Sequence, residues 1–154
     1  MCRLAVVLLV LLNVASGCSV SPLRPPSPNG SEYIVSKAGG FLFVPGGGVV
    51  YGTAFALTRL MDRPVYAVAL FENPESGAPL LRVAVTIEPG NSEFQVKSPR
   101  LNVLTNNRLY TVSLSIYWDD AHTQLLGVHQ QQVLFSVPPD LELRIEREYS
   151  VRIL

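Results

Sequence analysis

Residues able to do chemistry are sparse in this chain. Within 154 residues it has two histidines, His122 and His129, and two cysteines, Cys2 and Cys18, both near the start. It also has one pair of adjacent aspartates, Asp119-Asp120, and one glycine run, Gly46-Gly47-Gly48. His122 falls in a turn and His129 in a glutamine-rich strand. Seven residues of extended chain put them on opposite faces and roughly 23 Å apart, so they make poor joint ligands, and no cysteine lies near enough to complete a soft-ligand set. No metal and no cofactor is expected. Asp119-Asp120 reads as a hairpin turn, where neighbouring carboxylates point apart into solvent instead of sharing a proton. The glycine run lacks a following Lys-Ser/Thr and opens onto a strand, not a helix whose N-terminus would hold phosphate. No serine sits in a G-x-S-x-G elbow. The expected class is a non-enzyme. Twelve basic against twelve acidic side chains also exclude a nucleic-acid binder working through bulk charge.

The remaining reactive group is the Cys18 thiol, and its surroundings are informative. Residues 1–17 carry one cation at Arg3, an apolar stretch from Leu4 to Leu12, and small residues Ala15, Ser16 and Gly17 directly before the cysteine. This is the pattern of a secretory signal peptide. A cysteine immediately after the small residues resembles the bacterial lipobox, with Ala15 standing where leucine is commonest. That resemblance implies cleavage between Gly17 and Cys18 and lipidation of Cys18. Cleavage would remove 17 residues and one of the 12 basic side chains, leaving one net negative charge. Each buried acyl methylene contributes about 0.8 kcal/mol, so one chain attaches marginally and the several chains of a bacterial lipoprotein attach firmly. Ser19, where the lipoprotein rule places aspartate for inner-membrane retention, implies the outer membrane, lipid-anchored and on its periplasmic face. Plain secretion, or an uncleaved anchor, is the alternative.

Residues 18–32 then form the lipidated cysteine and a Pro/Ser-rich tether. Its four prolines favour extended chain, and at about 3.1 Å per residue it reaches up to about 40 Å from the lipid. Asn29-Gly30-Ser31 matches a glycosylation sequon but reads as loop. Residues 33–154 form the folded domain. Hydrophobic residues make up 48% of the chain and charged ones 16%, which excludes disorder. Short alternating runs separated by Pro, Gly, Asn and Asp predict an all-β fold, a seven- to eight-stranded antiparallel β-sandwich, with a small β-barrel as the alternative. Half-buried strands are predicted over Arg108–Trp118, Leu81–Glu88, Phe94–Lys97 and Leu141–Glu146. Val49–Leu57 and Val65–Phe71 are apolar on both faces and read as central strands or covered ones, with Tyr33–Val44 as the cover. Leu125–Phe135 reads as a weaker strand because Gln130, Gln131 and Gln132 interrupt it.

Alternation along Arg108–Trp118 turns Thr111, Ser113, Ser115 and Tyr117 outward. These small polar positions make a flat face able to accept a partner segment, and Tyr66 and Tyr117 are its aromatic candidates. A free strand edge offers a second route. The lipobox, the tether and the small β domain together resemble the type III secretion pilotins of the YscW/ExsB kind and the related YbaY-type outer-membrane lipoproteins. The likeness rests on Tyr51-Gly52-Thr53-Ala54, Arg63-Pro64-Val65-Tyr66-Ala67-Val68-Ala69-Leu70, Pro79-Leu80-Leu81, Phe94-Gln95-Val96 and Asn107-Arg108-Leu109-Tyr110-Thr111-Val112-Ser113-Leu114. It implies a partner, a secretin subunit, which a pilotin binds and carries to the outer membrane for assembly. Two other roles fit the same residues: an envelope lipoprotein of structural or stress type without a secretin client, and a small-ligand or inhibitor-binding module.

Overall fold

The computed structural model describes residues 32–75 and 77–154. The signal peptide, the Gly17/Cys18 cleavage and lipidation site, the sequon and all of the tether but Glu32 lie outside the described residues.

Among the described residues, nine strands and one helix follow in the order β1 (Ile34–Phe43), β2 (Val49–Leu57), β3 (Val65–Phe71), β4 (Leu81–Ile87), β5 (Glu93–Lys97), β6 (Val103–Leu104), β7 (Arg108–Tyr117), β8 (Leu125–Phe135), α1 (Pro139–Tyr149) and β9 (Arg152–Ile153). A three-stranded sheet, β1-β2-β5, faces a four-stranded one, β4-β3-β7-β8. Both are antiparallel throughout, while β6 and β9 form a short parallel pair. This is an all-β sandwich of open sheets, not a closed barrel.

Period-two alternation supplies the core. Tyr51 and Phe55 of β2 meet Phe71 of β3 and Tyr110, Leu114 and Ile116 of β7, all with no or almost no exposure. Tyr51 stands at the centre of an aromatic cluster, with ring centroids 5.4 Å from Phe41, 5.2 Å from Phe71 and 5.5 Å from Tyr110. Its hydroxyl donates to the Glu72 carbonyl at 2.6 Å. Burial, and then the charge of Glu72, push the Tyr51 phenol well above its ordinary range and keep it a donor. Buried Tyr and Trp polar ends take a partner in this way because an unpaired one costs the full desolvation penalty.

Two expectations are corrected here. The run Tyr33–Val44 does not cover the sheets: from Ile34 to Phe43 it is β1, hydrogen-bonded edge-on to β2. A bulge at Lys37, between Ser36 and Ala38, switches which parity faces inward, so Ser36 is paired with inward Phe55 and Gly39 with inward Thr53. The predicted strand Leu141–Glu146 is instead part of α1. Proline opens that helix, Asp140 and Glu142 occupy its first turn and Arg147 its last, each favourable to the macrodipole. Leu141, Ile145 and Tyr149 then recur at i, i+4 and i+8, a helical stripe hidden under an apparent alternation.

Gly46, Gly47 and Gly48 all hold positive φ (84°, 105° and 88°) and close the β1–β2 connection through Val44 N–H to Gly48 O at 3.0 Å. The glycine run is thus a turn, as its sequence context predicted.

A candidate interaction face and a buried histidine

The outer surface of the four-stranded sheet is assembled by register. Tyr66 of β3 lies opposite Tyr117 of β7, Val68 opposite Ser115 and Leu70 opposite Ser113. On the far side of β7, Ser115 faces Val128, Ser113 faces Gln130 and Thr111 faces Gln132. On the far side of β3, Tyr66 faces Thr86, Val68 faces Ala84 and Leu70 faces Arg82. All five residues expected to bind a partner, Tyr66, Thr111, Ser113, Ser115 and Tyr117, therefore share one face. Each is half-buried.

Residues that sequence reasoning did not place complete the face. Leu109 (49% exposed) stands opposite Leu134 (57%) at one end, and Leu125 (55%) opposite Tyr117 at the other, with Val128 between. Exposed leucines at both ends of a small-residue middle give apolar area that water covers at a cost. Gln130 Nε2 donates to Ser113 Oγ at 3.1 Å across the middle. Arg82, on the edge strand, is the charged side chain among these outward positions. Depletion of charge with retained tyrosine is the composition of an interface core. The signal that would have found the leucines is the β7–β8 register, which pairs them with outward positions already identified.

The β7–β8 turn frames one end. Asp119 accepts from Thr123 N–H, Thr123 Oγ1 and Gln124 N–H at 2.7 to 3.1 Å. Desolvation of Asp119 works the other way, but the hydrogen bonds from Gln124 and Thr123 together outweigh it and hold its carboxyl below the usual range. The aspartate is a turn residue, as expected. His122, at φ 57°, sets its ring edge-on to Tyr117 at 5.1 Å, and Arg63 lies 4.2 Å over the Trp118 ring.

His129 is separate from this face. It is 5% exposed and points between the sheets, its Nε2 2.6 Å from Ser36 Oγ of β1 and its ring edge-on to Phe55. Burial lowers its pKa. Ser36 and His129 are paired as a nucleophile and base would be, but Nδ1 of the ring, where an orienting carboxylate would bind, is buried without a partner. Among the described residues no group of three or more His, Cys, Asp or Glu side chains could hold a metal. No described helix is long and apolar enough to cross a membrane. On the opposite sheet a shallow trough of about 210 Å³ runs over Ala38, Gly40, Gly52 and Ala54, edged by Leu42, Gln95 and Lys97.

No protein-family model matches this chain, and no curated protein matches it. Among solved structures, β-glucuronidase 2 of Bacteroides uniformis, covalently bound to cyclophellitol-6-carboxylate aziridine, is similar with a TM-score of 0.38 and 11% identity. The similarity covers 67% of this chain and 13% of that one. A likeness that slight carries no argument about activity.

Proposed function

We propose that this chain is an envelope lipoprotein of the pilotin kind, anchored to the outer membrane through Cys18 and holding a segment of a secretin subunit on the outer face of its four-stranded sheet. The single observation supporting the partner-binding half is that face. It is nearly free of charge, bears two paired tyrosines, and carries exposed leucines at both ends of a small-residue middle. A partner's apolar side chains could displace water there without stranding a charge. The anchoring half rests on the lipobox resemblance of residues 15–18, and the tether would give the domain its reach.

Replacing Cys18 with serine separates the two halves. The domain should fold unchanged, because the strands of the sandwich begin only at Ile34, while outer-membrane sorting of the protein and of its secretin is lost on fractionation. Unaltered secretin assembly in that variant would argue against the pilotin role. Recovery from solubilised membranes without any secretin would favour a structural or stress-type lipoprotein.

A further inference from the structure

We propose that His129 is an acid-released latch on the seam between β1 and β8, holding the sandwich shut while its imidazole is neutral and letting that side open when it is protonated. The inference is independent of the proposed function.

The seam is built in an unusual way. β1 and β8 are the edge strands of different sheets and share no backbone ladder, yet they run side by side. Ser36 meets His129, Gly39 lies against Gln131 and Val133, and Phe41 packs edge-on to Phe135 at 4.9 Å. Side chains therefore do the work that hydrogen-bonded strands do elsewhere, and the Ser36–His129 bond ties the two strands together. The polar side chains beside it are poorly satisfied. His129 Nδ1, Gln131 Oε1 and Thr53 Oγ1 are all buried without a partner, so this stretch is weakly held even when the ring is neutral.

A proton added to the ring becomes a buried cation with nothing to balance it. The four strands around His129 contain no aspartate or glutamate. Their ionisable side chains are all engaged elsewhere. On β1, Lys37 reaches Glu93 at 3.7 Å. On β2, the Tyr51 hydroxyl donates to the Glu72 carbonyl. On β7, Arg108 pairs with the Glu72 carboxylate, Tyr110 accepts from Thr105 N–H, and Tyr117 packs on His122. β8 brings no second titratable group. Opening the seam hydrates the imidazolium, whereas closing it does not. The sign follows from linkage: the depressed folded pKa means the open state binds more protons, so closure is fully supported above the ordinary histidine value, about 6.5, and weakens as pH falls below it. The open seam would bare the free backbone edges of β1 and β8.

The test uses the full-length wild-type protein in detergent. Amide exchange followed by mass spectrometry at several pH values from about 7.5 to about 5, corrected for intrinsic rates, is compared with an NMR titration of both histidine rings. The expected result is a rise in exchange over β1 and β8, with β3 unchanged. That rise should follow the titration of the seam and not that of His122, and its size should not exceed the ratio of the ring's acid-dissociation constants in the closed and open states. Protection in β1 and β8 that ignores pH would overturn the proposal, as would a His129 ring titrating at or above the ordinary value. His129→Leu should abolish the rise, and a rise that persists in it refutes the latch. Should that variant fail to fold, Ser36→Ala, which keeps the ring, should open at the seam at every pH, and unchanged protection there also refutes it.

Discussion

Ser115 is the position at which the interaction face is most exposed to a direct challenge. It sits mid-strand on β7, flanked in register by Val68 on β3 and Val128 on β8, with no cation among these neighbours. In the free protein, Ser115→Glu places a carboxylate on a half-buried outer position of a central strand that water still reaches, where the cost to stability is about 1 kcal/mol or less. In a complex formed over this face the same carboxylate would be trapped among apolar side chains. An unpaired buried charge costs about 3–5 kcal/mol, and each 1.36 kcal/mol is about tenfold, so affinity for a secretin subunit should fall roughly 150- to 5,000-fold. Titration of the purified variant against the detergent-solubilised secretin measures this, with the thermal midpoint as the control for folding. Binding within about threefold of wild type, at an unchanged midpoint, would show that the partner does not cover β7 and would move the search to the strand edges.

Two further outcomes follow from the packing. Tyr51→Phe keeps every ring contact of the central cluster and removes only the hydroxyl that donates to Glu72 O. It should cost about 0.5–1.5 kcal/mol, which lowers Tm by about 2–6 °C in a domain of about 120 residues; a calorimetric scan with no decrease would contradict the assigned hydrogen bond. Gly39→Val should be worse, because even a Cβ at that position comes within 2.9 Å of Val133 Cγ2 and 3.0 Å of Gln131 Nε2. A loss of about 1–3 kcal/mol in denaturant unfolding is expected, and a neutral result would mean that β1 and β8 are not held as closely as described.

The sandwich was legible because its strands declare themselves in one of two ways. Leu81–Ile87 and Arg108–Tyr117 alternate, Val49–Leu57 and Val65–Phe71 stand out as short apolar runs between turn residues, and the β7 pattern alone turned four of the five candidate residues outward. Where alternation failed, a physical reason can be named. In β1 the bulge at Lys37 shifts the inward parity from Ile34 and Ser36 to Gly39, Phe41 and Phe43, so no single phase fits the whole strand. In β8 the inward positions include His129 and Gln131, polar residues that pattern reading assigns to solvent. In α1 Leu141, Leu143 and Ile145 alternate as a strand would, while Leu141 and Ile145 also fit the helical period and Leu143 faces water; the Pro-Asp start was the cue that decides for a helix. The two-residue pair β6–β9 joins segments far apart in the chain and leaves no local trace. The exposed leucines of the face were missed for a different reason: their exposure depends on which strand neighbours which, and that is a property of topology.

Trp118 is the chain's single tryptophan, and it stands beside the β7–β8 turn, next to Tyr117 and under the Arg63 guanidinium. The molecule thus carries its own optical reporter at one border of the proposed contact surface. Any client that displaces Arg63 or dries that corner will change the intensity and colour of the indole emission, without a label and without altering a residue.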